Sequence, residues 1–284
     1  MSTRNSKRVK DITGMQQVML DLKPDRCDSD VYINQKMNVT NLVKYIEEKK
    51  QEGKNYTYFH AFVTALAKTF YNRNKLNRFV SDRHIFEHND IVISFVAKTS
   101  FEDKSEELMV MIPILPDDNI DTISKKILAK LDGVRTRKNV KKQGANNAID
   151  VIAKIPNVIR IPLMGIVKWM DKKGILPKSL VKDNIYYSSL IVSNLGSIHC
   201  GAIYHNITNF GTCSGLVTMG EIKNEEIYQD SEKPKVIKVC EFGINLDERI
   251  ADGYYFAKSC KILEYILANP ETLEENASTK INLK

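Results

Sequence analysis

Five apolar side chains, Phe59, Phe62, Val63, Leu66 and Phe70, recur at i, i+3, i+4, i+7 and i+11. Only an α-helix places that spacing on one face, and so broad a stripe must be covered by another layer. The neighbouring sequence supplies strands for it. Residues 31–39 (VYINQKMNV) alternate as a strand, and residues 41–50 follow as a short helix with Leu42, Val43 and Ile46 together. Residues 91–97 read as a buried strand, and 107–115 as a second that Pro113 pushes toward an edge or bulge. A helix runs through Ile123, Ile127 and Leu131. From residue 185 the chain turns β, with strands at 186–192, 214–222 and 236–246 and a polar hairpin loop at 224–234. A last helix over about 253–268 carries Phe256, Cys260, Leu263 and Leu267 inward, and Pro270 stops it. Strands alternating with helices predict an α/β or α+β fold. With no repeat and no linker, residues 1–12 read as a basic tail and 13–284 as a single domain.

A chain of 284 residues with 43% hydrophobic content can bury a core, which excludes general disorder. Five cysteines, scattered and without CxxC spacing, argue against a disulfide framework and a zinc site, so no metal is expected. Neither a secretory signal nor a bilayer-length apolar run is visible, which makes the cytoplasm the expected location. The net charge of +7 gathers in Lys130, Arg135, Arg137, Lys138, Lys141 and Lys142. No aromatic residue interleaves that run, so a solvated segment is expected there and no specific nucleic-acid partner. A patch for the phosphates of a nucleotide-like cofactor is the other reading.

One stretch departs from its surroundings. Ile155, Val158, Ile159, Ile161, Leu163, Met164, Ile166, Val167, Trp169 and Met170 crowd together, broken by Pro156 and Pro162 and fringed by Arg160, Lys168, Lys172 and Lys173. Such a segment is expected to line the core or a hydrophobic substrate channel. A basic amphipathic helix can also lie on a membrane surface, and that contact is the less favoured reading.

The end of the strand at 236–246 runs into Asp247-Glu248-Arg249-Ile250-Ala251-Asp252-Gly253, directly before the last helix. On spacing alone this is a solvent loop with an N-cap aspartate. It also resembles the DHRxxDG signature of the catalytic domain of dihydrolipoyl acyltransferases, the core subunits of 2-oxoacid dehydrogenase complexes. Chloramphenicol acetyltransferase is similar and shares HxxxDG. Val192-Ser193-Asn194-Leu195-Gly196 resembles the family's serine-bearing ISNLG strand end, and Thr218-Met219-Gly220-Glu221 the strand that follows. Asn38 to Leu42 and the helix after it resemble the family's opening elements. The likeness covers roughly residues 10–270.

The resemblance implies a two-layer α/β sandwich of the chloramphenicol acetyltransferase type, a mixed β-sheet with helices packed on one side. It implies a homotrimer with active sites between subunits and a coenzyme A thioester as co-substrate. It further implies a small-molecule hydroxyl, amine or thiol as acyl acceptor. No lipoyl domain is seen in this chain, so a free-standing acyltransferase-like protein is expected. Ser193 matches the family's oxyanion donor. Asp252 matches the aspartate that braces the loop, with Arg249 and Gly253 as further support of the site. Where the family has its proton-accepting histidine, this sequence has Glu248. A carboxylate with a reference pKa of about 4.3 is a weaker base at neutral pH than an imidazole. His199 and His205 follow Ser193 in the chain, and either could pair with Glu248, His205 being preferred. His60, His84 and His88 read as structural. The alternative is a non-catalytic trimeric scaffold that has lost the general base.

Overall fold

The computed structural model describes residues 4–98, 107–135, 152–228 and 234–283. Its main sheet has the order β2 (Asp30–Asn38), β10 (Lys235–Asp247), β8 (Gly215–Met219), β7 (Leu190–Asn194), β5 (Ile91–Lys98), β6 (Glu107–Ile114), with β9 (Lys223–Ile227) paired to the start of β10. β5, β7 and β8 run parallel, and the other pairings are antiparallel, so the sheet is mixed. A three-stranded sheet joins β1 (Ser6–Arg8), β4 (His84–His88) and β3 (Arg78–Ser81).

Period-two alternation gives the main sheet two faces of different character. Leu190 and Val192, Val217 and Met219, and Phe242, Ile244 and Leu246 face a layer of helices. That layer contains α2 (Thr40–Gln51), α3 (Tyr58–Asn72), α4 (Ile120–Arg135) and α6 (Gly253–Ala268). α3 is the helix announced by its stripe. A capping box starts it, with Thr57 Oγ1 accepting from the His60 amide and His60 Nδ1 from the Thr57 amide. The α/β class is as the periodicity predicts, and the mixed sheet with helices on one side is as the resemblance implies.

The opposite face is covered differently. Ile191 and Leu216 pack there with Ile207 and Cys213, which belong to the long connection between β7 and β8. This connection crosses the sheet in extended form. Ile203 exchanges hydrogen bonds with the Thr218 hydroxyl, and the His205 carbonyl accepts from Asn245 Nδ2 at 2.9 Å. Gly243 makes the crossing feasible, because a Cβ there would press into the Ile203 carbonyl and the Thr218 hydroxyl.

Three sequence expectations change. Residues 224–234 are not wholly a loop, because β9 pairs with Lys235–Val239. Part of the expected N-terminal tail is ordered against the body, since Ser6–Arg8 is a strand. The apolar segment forms α5 (Asn157–Lys173) but does not enter the core, where only its Asp171 is buried. Asp171 is held by Arg4, the Tyr187 hydroxyl at 2.7 Å and the Gly211 amide at 2.8 Å. That anchor fixes one face of α5 inward and leaves the other open. Of the basic run, Lys130 is exposed on α4, while Arg137, Lys138, Lys141 and Lys142 lie outside the described residues.

Replacing Gly243 by alanine should displace the crossing segment and lower stability by about 1–3 kcal/mol, the usual cost of forcing a methyl into a filled space. Urea unfolding measures this, and an unchanged midpoint would contradict the close packing.

Candidate functional site

Asp247 ends β10 and is completely buried, which would be prohibitive for a lone carboxylate. Arg249 resolves the cost by folding back on it. Its Nε and Nη2 donate to the two Asp247 oxygens at 2.8 and 2.7 Å, a bidentate pair, and the Arg249 amide donates to Oδ1. The remaining Nη1 donates to the carbonyls of Lys23 and Pro24 at 3.0 and 2.9 Å. Arg26, also buried, stands 3.7 Å from Asp247 and donates to the Thr208 carbonyl. One buried carboxylate thus ties together the turn after β10, the segment before β2 and the crossing connection.

The turn places Glu248 between these fixed points. Its amide donates to the Ser29 carbonyl at 2.9 Å, and its carboxylate, about one third exposed, is ion-paired through Oε1 with Lys23. The Arg249 guanidinium is committed to Asp247 and not to Glu248. Asp252 caps α6, its carboxylate accepting from the Tyr255 amide at 2.7 Å, with Gly253 the first residue of the helix.

His205 lies at the same end of the sheet. Its carbonyl is held by Asn245, three residues before Glu248, but its Nδ1 meets the Asn206 carbonyl at 2.8 Å. No bond between His205 and Glu248 occurs among the described residues, so the expected pairing is not made within one protomer. Tyr32 donates to Asn206 Oδ1 and packs edge-on against Tyr204, and beside it burial pushes the Asp30 carboxyl up, opposed by Asn245 and Arg26.

Ser193 is elsewhere. It is level with Thr218, which is level with Gly243, so Ser193 stands two strands from β10 and five residues short of Glu248. At strand dimensions, this separates the two by roughly 17 Å along the strands and about 10 Å across them. Ser193 shares the helix-free face with Ile191, and it and Glu248 stand toward opposite ends of the sheet. Near Ser193, His199 Nδ1 meets Glu221 Oε1 at 2.6 Å, so this histidine is paired with a carboxylate other than the expected one. Glu221 also borders an open cavity of about 400 Å³ between Phe59 and Phe62 of α3 and Asn194, Gly196 and Gly220.

Of the residues expected from the sequence, Glu248, Arg249, Asp252 and Gly253 lie together in the turn from β10 into α6, and Ser193 stands apart from them. The sequence reading misses Lys23 and Arg26, which are remote from every motif, and gives Glu221 no role although it ends the 218–221 motif. Among the described residues no cluster of three or more His, Cys, Asp or Glu could hold a metal ion.

Removing one partner of a buried pair leaves the other uncompensated. Asp247→Asn or Arg249→Gln should each cost about 3–5 kcal/mol of folding stability. Glu248→Gln, which breaks a partly exposed pair, should cost less than about 1 kcal/mol. Denaturant midpoints of the three variants test the contrast, and equal effects would contradict it.

No family model matches the chain, and no curated protein does. Solved structures do. A probable dihydrolipoamide acetyltransferase from Listeria monocytogenes is similar at 16% identity and TM-score 0.59, with 98% of each chain covered. The dihydrolipoamide acetyltransferase of Azotobacter vinelandii is similar at 13% identity and TM-score 0.59, with 93% of each chain covered. A chloramphenicol acetyltransferase is similar at 11% identity and TM-score 0.55, covering 92% of this chain and 99% of its own. The likeness extends over nearly the whole chain, and the chain has the chloramphenicol acetyltransferase-type fold of the dihydrolipoamide acetyltransferase catalytic cores.

Proposed function

We propose that this protein transfers an acyl group from a coenzyme A thioester to a hydroxyl, amine or thiol acceptor, at a site completed between two copies of the chain. The observation that carries the reading is the separation of Ser193 and Glu248. Both sit at motif positions with their supporting residues intact, yet they stand at opposite ends of one sheet and cannot reach a common atom within a protomer. A cyclic assembly brings the Glu248 end of one copy to the Ser193 end of the next, as heterologous contacts in closed rings do.

At such a site Glu248 accepts the proton of the acceptor group as that group attacks the thioester carbonyl. The Ser193 hydroxyl makes no hydrogen bond among the described residues and is free to donate to the oxyanion that forms. Collapse of the intermediate breaks the carbon–sulfur bond, and the proton held by Glu248 passes to the departing thiolate. The products are the acylated acceptor and free coenzyme A. The cavity beside Asn194 and Gly196 accommodates an apolar arm against Phe59 and Phe62. His205, at the Glu248 end, is a second proton carrier should the neighbouring copy turn its ring from Asn206.

One observation favours the other reading, a scaffold without catalysis. The Lys23 ammonium occupies a Glu248 oxygen, so it must move before that oxygen can accept a proton.

Thiol release from acetyl- and longer acyl-coenzyme A, with candidate acceptors, decides between them. Glu248→Gln should lower the rate by about a hundredfold to ten-thousandfold. Ser193→Ala should lower it by roughly a hundredfold to a thousandfold. Wild-type protein should sediment as about three chains of 32.4 kDa. A trimer inert toward every donor would leave the scaffold, and a monomer would remove the shared site.

A further inference from the structure

The outer face of α5 has no counterpart in the site above. Its inner face, Leu163, Met164, Val167 and Met170, is half-buried, and Asp171 is fixed in place by Arg4, Tyr187 and Gly211. Its outer face is no more polar. Val158 is 86% exposed, and Ile159, Ile161, Ile166 and Trp169 are each more than half exposed. Pro162 and Gly165 complete this face without adding polarity. A helix that is apolar all round is normally enclosed, and this one is enclosed on one side only.

We propose that this face docks on an anionic lipid surface, with α5 lying in the plane of the interface. Charge decides the occupant. Lys168 flanks the apolar strip, Lys172 and Lys173 close its C-terminal end, and Lys154 precedes it. Lys168 and Lys154 have no ion pair among the described residues, while Lys172 and Lys173 reach exposed Asp25 and Asp82. The one acidic residue of the helix, Asp171, is buried and committed inward. Two copies meeting through this face would oppose lysine to lysine, whereas the centres of protein interfaces are depleted in lysine. An anionic bilayer satisfies both halves of the pattern. Isoleucine, valine and tryptophan enter the boundary between headgroups and acyl chains, and lysines extend to the phosphates. Tryptophan is itself favoured at that depth. At 17 residues the helix is roughly 25 Å long, and no helix among the described residues is long and apolar enough to cross a membrane. The helix therefore lies on the surface. The surface is independent of the proposed acyl transfer.

The chain has a single tryptophan, and it is Trp169. Its emission therefore reports on this face alone. The test adds the full chain to vesicles of phosphatidylcholine and to vesicles of phosphatidylcholine with phosphatidylglycerol, reading emission and co-sedimentation. The expected result is a blue shift and co-sedimentation with the anionic vesicles only, both reversed by high salt. Combined Ile161→Glu and Ile166→Glu should weaken binding by at least about tenfold, and Lys168→Glu should weaken it less. Both sites are exposed, so thermal unfolding should not change. Unshifted emission without co-sedimentation, or equal binding to neutral vesicles, would overturn the proposal. Emission already blue-shifted without lipid, moving red as the double variant falls in mass, would assign the face to a second copy and overturn it. Binding to polyglutamate with none to vesicles would assign it to an acidic protein and overturn it as well.

Discussion

A carboxylate with no solvent contact is unstable unless charge and hydrogen bonds replace the water it has lost, and Asp247 meets that demand through Arg249 and Arg26. Most of the candidate site follows from this requirement. Arg249 must fold inward to reach Asp247, so the residue between them must face out, and that residue is Glu248. The spare nitrogen of Arg249 binds the carbonyls of Lys23 and Pro24, which brings the Lys23 side chain within reach of Glu248. Arg26 extends the tie to Thr208 and so to the connection that carries His205. Asp252 then ends the turn by starting α6.

The sheet sets the second constraint. Parallel pairing of β7 with β8 and antiparallel pairing of β8 with β10 place the end of β7 and the end of β10 at opposite ends of the sheet. The proposed acyl transfer, which uses both Ser193 and Glu248, accordingly calls on two copies. The crossing connection covers the helix-free face between the two ends and is admitted by the missing side chain at Gly243.

Much of this was legible in the sequence, because local periodicity reports directly on burial. The stripe from Phe59 to Phe70 became α3, the strand expected at 236–246 became β10, and Asp252 became the N-cap of α6. The failures share a cause. Hydrophobicity in α5 showed that a surface must be covered but not by what, and the helix turned outward because Asp171 is its one buried anchor. The polar residues of β9 concealed a strand, since an edge strand need bury little. Lys23 with Glu248 and His199 with Glu221 are pairs between distant segments, and no motif records such contacts. Glu248 was visible in the sequence at once, whereas its lysine partner required the fold.

The central claim is that Ser193 and Glu248 meet across two copies, and cysteine cross-linking tests it most directly. Cys27 and Cys200 are exposed and would first be replaced by serine. In that background, combined Ser193→Cys and Glu248→Cys, treated with a short bifunctional thiol reagent, should give covalent dimers and trimers on a denaturing gel, while each single substitution gives none of the trimer. Chains that remain monomeric on the gel, from protein that sediments as an oligomer, would contradict the shared site.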